Sequence, residues 1–105
     1  MEQYYEIRAK NFKTGIYTGK ILEFEAPSRL SPRDLPEIER RLPKAGGEGL
    51  VISGRGPIWL YGVILHKYMH TFAYIAVYDP ELGGAVVVVS HLRSVRVGTV
   101  IPLSL

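Results

Sequence analysis

Three kinds of residue able to handle a phosphate fall within one contiguous third of this 105-residue chain. The run Ser53-Gly54-Arg55-Gly56-Pro57 offers glycines that let an anion approach the backbone and an arginine that can grip it through two N–H groups. His66 and His70 follow, and then Tyr78-Asp79-Pro80. An imidazole titrates near neutral pH and can move a proton, and a carboxylate can orient that imidazole or hold a metal ion. Together these are the ingredients of a phosphodiester site.

Each ingredient also has a plainer reading. Gly54-Arg55-Gly56 lacks the spacing of the dinucleotide fingerprint and of the Walker loop, and serves equally as a tight turn with a solvated arginine. His66 and His70, four apart, share a face if their segment is helical. That spacing suits a metal pair, but no glutamate lies between them and no third ligand is near, so capping or surface roles compete. Asp79 before Pro80 is a common turn starter whose carboxylate binds nearby backbone, and Glu81 adds a second acid to that turn. Of the seven tyrosines, Tyr78 alone is placed to stack on a base; the others read as core or interface residues with wet hydroxyls. Ser90-His91 is expected at the opposite sheet edge or a subunit boundary. No Ser-His-Asp arrangement with a nucleophile elbow is present.

The elements that must position these residues follow from periodicity and punctuation. Alternation predicts a strand over 3–10, a turn over 11–15 and an antiparallel partner strand over 16–25. Ser31-Pro32-Arg33-Asp34 opens a helix running to Leu42, with Leu35, Ile38 and Leu42 on one face. Leu50-Val51-Ile52 reads as a central strand buried on both sides. A second helix spans Pro57 to about His70, a strand covers 72–78, and Ala85 to Val89 is the most β-prone run. A last strand over 97–103 would be an edge because of Pro102. Without that last edge strand, the order β-β-α-β-α-β-β predicts an α/β fold: a mixed sheet with a small Rossmann-like (CARF-like) centre whose middle strands are parallel, flanked by antiparallel hairpins. Gly54 to Gly56 and Asp79 would then emerge at one carboxyl edge, where open α/β sheets bind ligands.

Composition narrows the function classes. The chain length suits a single domain over 1–105, and a hydrophobic fraction of 47% argues against disorder. Cysteine is absent, which excludes disulfides, thiolate metal sites and cysteine nucleophiles. A net charge of +3 permits a small polyanion as partner but is not the footprint of a protein that coats long nucleic acid. No apolar run approaches the ~18 residues of a membrane span, and the first residues lack the features of a signal peptide, so a cytoplasmic location is expected.

Four ordered segments carry a resemblance: Val51 to Leu60 (Val-Ile-Ser-Gly-Arg-Gly-Pro-Ile-Trp-Leu), His66-Lys67-Tyr68-Met69-His70-Thr71, Ala76-Val77-Tyr78-Asp79-Pro80 and Ser90-His91. They resemble the small CRISPR-associated ring nucleases of the Csx group from type III CRISPR systems. The resemblance covers the C-terminal half; the first half matches only in its order of strands and a helix. It implies a fold distantly related to CARF sensor domains, and binding and cleavage of cyclic tetra-adenylate, which switches off an antiviral signal. It implies His70 and Asp79 as the catalytic pair, Mn²⁺ dependence with Asp79 as a metal ligand, and dimers that sandwich the ring into a tetramer with a site shared across subunits. Ser53, Gly54, Arg55, Gly56, His66 and Tyr78 are then the substrate-binding candidates. One position departs: the family commonly has arginine two residues after the aspartate, where this chain has Glu81. Two other functions stay open, a non-catalytic sensor or sponge for cyclic oligoadenylate and an Mn²⁺-dependent 3′ exoribonuclease that trims oligoadenylate.

Overall fold

A computed structural model describes residues 6–26 and 29–105. Strands β1 (Glu6–Thr14) and β2 (Tyr17–Glu25) form an antiparallel hairpin. The turn lies at Gly15-Ile16, later than the expected 11–15, and Gly15 takes the positive φ of 58° that a two-residue hairpin turn demands. Pairing persists through 11–14 because Phe12 becomes buried on the sheet and the Lys20 amino group donates to Asn11 Oδ1 across the strands. The strand expected from Gln3 begins, within the described residues, at Glu6.

Ser31 starts the next segment as expected. Its hydroxyl accepts from Arg33 N–H while its own N–H donates to Asp34 Oδ2 at 2.9 Å, a reciprocal capping box. The single helix predicted for 32–42 is instead a 3₁₀ turn over Pro32–Asp34 followed by α1 (Leu35–Arg41). Pro36 has no N–H to bond the Pro32 carbonyl, so α-type bonding cannot begin earlier. The remaining elements are β3 (Gly47–Arg55), α2 (Ile58–Tyr68), β4 (Phe72–Asp79), β5 (Gly84–Ser90) and a short edge strand β6 (Val100–Pro102).

All six strands join one mixed sheet in the order β1-β2-β3-β4-β5-β6. β2, β3 and β4 are parallel and the flanking pairs antiparallel, as the element order predicts. The parallel β-α-β-α-β centre is present, but a Rossmann-like strand order is not confirmed. Among the described residues strand order never reverses, so no switch point is seen, and both helices pack on one face. Ile38 from α1, its C-cap Leu42, and Leu60, Ile64 and Tyr68 from α2 share a core with Leu22, Phe24, Leu50, Ile52 and Ile75. Two crossovers of the same hand that step in the same direction must lie on the same side. Among the described residues the other face is covered by the chain after β5: Val95 packs there with Phe12, Ile21, Val51, Tyr74, Val87 and Ile101. Among the described residues no helix is long and apolar enough to cross a membrane.

This topology gives the sheet two unlike edges. At the carboxyl edge β2, β3 and β4 end in Glu25, Arg55 and Asp79, and β5 begins at Gly84. At the amino edge lie the β1–β2 turn, the starts of β3 and β4, the end of α2 and the end of β5.

Candidate functional site

A groove of about 300 Å³ opens at the carboxyl edge, lined by Arg8, Glu23, Glu25, Ser53, Arg55 and Tyr78, with Phe24, Gly54 and Pro80 completing its wall. Strand alternation explains the set. Val51, Ser53 and Arg55 point to the face away from the helices, as do Ile21 and Glu23 on β2 and Tyr74, Ala76 and Tyr78 on β4. Register puts Arg8 opposite Glu23, Glu23 opposite Ser53, and Glu25 opposite Arg55. Arg55 is exposed and has no carboxylate in ion-pair contact among the described residues. Tyr78 is half-buried, its hydroxyl accepting from Leu105 N–H at 3.3 Å.

Four sequence candidates, Ser53, Gly54, Arg55 and Tyr78, therefore meet in one groove. The glycines are not the turn that was expected. Gly54 and Arg55 are the last residues of β3, and neither Gly54 nor Gly56 takes a positive φ. Gly54 is small because a Cβ there would lie 2.3 Å from the Phe24 carbonyl oxygen and 2.7 Å from its ring. Its carbonyl accepts the Tyr61 hydroxyl at 2.6 Å, and Arg55 C=O accepts Ala26 N–H at 2.9 Å. Phe24 meets Tyr61 edge-on, with ring centres 5.1 Å apart. Burial pushes the Tyr61 phenol up from its ordinary range, with the bond to Gly54 opposing. The end of β3 is thus clamped on both sides, and Arg55 is presented from a rigid strand.

Asp79 ends β4 at this same edge. Its Oδ1 accepts Glu81 N–H at 2.9 Å, and its carbonyl accepts Leu82 N–H at 3.2 Å, so it does start the turn as its sequence context allows. The second carboxylate oxygen has no protein hydrogen bond among the described residues.

His70 is at the other edge. It sits in the turn between α2 and β4, exposed to solvent. The 8-residue strand β4 separates it from Asp79, a span of roughly 23 Å at about 3.3 Å per residue. The expected constellation is therefore divided: the basic end of β3 and Asp79 share one edge, while His70 keeps company with His66 and His91. His66 Nδ1 lies 3.6 Å from Glu39 Oε2 on α1, far from the groove. His91 falls at the amino edge, as its position after the valine run suggests. Its Nε2 donates to Met69 C=O at 2.6 Å, and its N–H to Ala73 C=O at 2.8 Å. Met69 is the C-cap of α2, so His91 satisfies an orphan helix carbonyl and braces the residue just before His70.

Tyr68 and Tyr74 are core residues as expected, but their hydroxyls bind backbone rather than water, and Tyr4 and Tyr5 lie outside the described residues. Tyr68 donates to Pro43 C=O, and Tyr74 to Thr18 C=O at 3.3 Å. Arg8, Glu23 and Glu25 were missed as site residues. Their signal, alternation on two charged strands, acquires meaning only once β1 and β2 are known to lie beside β3.

No group of three or more His, Asp or Glu among the described residues is close enough to hold a metal ion. Asp79 offers one free oxygen, with Glu81 beside it, and His70 cannot join them within one chain. Among the described residues, a single chain gathers no full set of Mn²⁺ ligands around Asp79.

The family described as CRISPR-associated protein (Cas_csx3) matches over residues 23–102. An uncharacterized protein of Aquifex aeolicus (strain VF5) is 48% identical over 84 residues, covering 77% of this chain and 75% of that protein.

Proposed function

Because the chain belongs to the CRISPR-associated Csx3 family, we propose that it is a cytoplasmic ring nuclease of a type III CRISPR system, binding and cleaving cyclic tetra-adenylate. One observation carries the reading: Ser53, Gly54, Arg55 and Tyr78, chosen from sequence, line one groove at the carboxyl edge. Arg55 grips a phosphate, the end of β3 sets its position, and Tyr78 offers a ring to an adenine. Twofold symmetry suits the ligand, since each protomer of a dimer repeats the same contacts around a ring of four identical nucleotides.

The chemistry needs two copies. His70 acts as general acid-base at the ribose 2′-hydroxyl or the leaving oxygen. Asp79 of a second copy orients that imidazole, because within one chain the strand β4 holds the two apart. A tetramer of two dimers closing on the ring supplies this pairing. Mn²⁺, implied by the resemblance, would have to draw its ligands from more than one chain or from the phosphates, and no step here depends on it.

The test is incubation of labelled cyclic tetra-adenylate and of linear polyadenylate with the wild-type protein, with and without Mn²⁺ or EDTA. Linear products from the ring, with polyadenylate spared, are expected. Tight binding without products would replace the nuclease by a sponge. That second reading is favoured by Glu81, an acid whose N–H holds the Asp79 carboxylate. Equal loss of polyadenylate would identify an exoribonuclease.

A further inference from the structure

We infer that Arg8 is a second phosphate-gripping arginine of the carboxyl-edge groove, so that the ligand is clamped between β1 and β3. The inference rests on the proposed oligonucleotide ligand and adds a residue to its site. Arg8 lies upstream of the matched residues 23–102, so likeness to the family does not supply it.

Arg8 lines the same groove as Arg55. The register runs Arg8–Glu23–Ser53 in one row and Glu25–Arg55 in the next but one along the strands. Two strand spacings and two residues of rise put the Arg8 and Arg55 Cα atoms roughly 12 Å apart. Two arginine side chains reaching inward from that separation bracket a phosphodiester unit. Arg8 is also available. Its cross-strand neighbour Glu23 is ion-paired with Lys10 at 3.5 Å, and Arg8 has no carboxylate partner of its own among the described residues. Lys10 thus neutralises the acid that would otherwise occupy the guanidinium.

The intervening acids define what the clamp accepts. Glu23 and Glu25 lie in the groove between the two arginines. Carboxylates repel a bare polyanion but accept hydrogen bonds from amino groups. The lining therefore favours a ligand that alternates phosphates with N–H donors, as linked adenosines do, over inorganic phosphate.

The experiment measures binding of cyclic tetra-adenylate at several salt concentrations for wild type, Arg8→Gln, Arg8→Lys and Arg55→Gln. Arg8 is exposed, so its variants should melt at the wild-type temperature. Arg8→Gln should weaken binding about tenfold and reduce the salt slope by about one, as loss of a phosphate contact does. Arg8→Lys should keep the slope and recover part of the affinity. Wild-type affinity and slope in Arg8→Gln, beside weakened Arg55→Gln, would overturn the clamp and leave the ligand assignment standing. Absence of binding by the wild-type protein would overturn both.

Discussion

The two edges of the sheet differ in how they hold their polar residues. At the carboxyl edge the candidates sit on strands, locked by register, by Phe24 and by the Tyr61 hydroxyl. At the amino edge His70 sits in a three-residue turn, steadied through its neighbour Met69 by His91. One edge holds its polar side chains in fixed geometry on strands, and the other leaves an imidazole exposed in a turn. Residues nine apart in sequence can only meet across this division if two copies bring unlike edges together.

The sharpest test of that division is complementation. His70→Ala and Asp79→Ala should each lower ring cleavage by about 10²–10⁴-fold, the usual contribution of a positioned acid-base group. Mixed after co-refolding, the two inactive proteins should regain measurable turnover, because some sites then hold an intact His70 and an intact Asp79. Activity that stays absent in the mixture, with both variants still binding the ring, would show that the edges do not cooperate in this way.

A smaller effect is expected from Gly54→Ala. The added methyl meets backbone and ring of Phe24, and overpacking of this kind costs about 1–3 kcal/mol. A fall in melting temperature of roughly 4–8 °C per kcal/mol should follow, with loss of ring binding at the carboxyl edge. Unchanged affinity would mean that Arg55 does not depend on the clamped end of β3.

The mildest expected change is His91→Ala, which removes a hydrogen bond worth about 1 kcal/mol from the end of α2. Cleavage should slow while ring affinity holds, since only the His70 edge is loosened. Equilibrium binding beside single-turnover kinetics separates the two, and a parallel loss of affinity would erase the distinction between the edges.

Much of the fold was legible because its elements carry their own signals. The Ser31 capping box, the valine run of β5 and the parallel middle strands announce themselves locally. The hairpin turn was misplaced because what extends β1 is the burial of Phe12, a tertiary reward that no alternation pattern shows. Pro36 was readable as a first-turn residue, but the 3₁₀ start it imposes depends on which carbonyl it fails to reach. Arg8 was invisible as a groove residue for the same reason as Glu23. A charged residue on a strand looks solvated until its neighbouring strands are known.

The sequence alone determined the residue types, the element order from β1 to β5, the shared edge of Arg55 and Asp79, and the family, while the predicted order lacked the sixth strand β6. These follow from local patterning, from short connections and from four matched segments. The tertiary structure alone decided that the sheet runs from β1 to β6 without reversal, that both helices crowd one face, and that His70 lies a full strand length from Asp79. The reason is geometric. A helix that crosses back over a parallel sheet returns the chain to the edge where its strand began, so the residue at its end and the residue at the end of the next strand are carried apart.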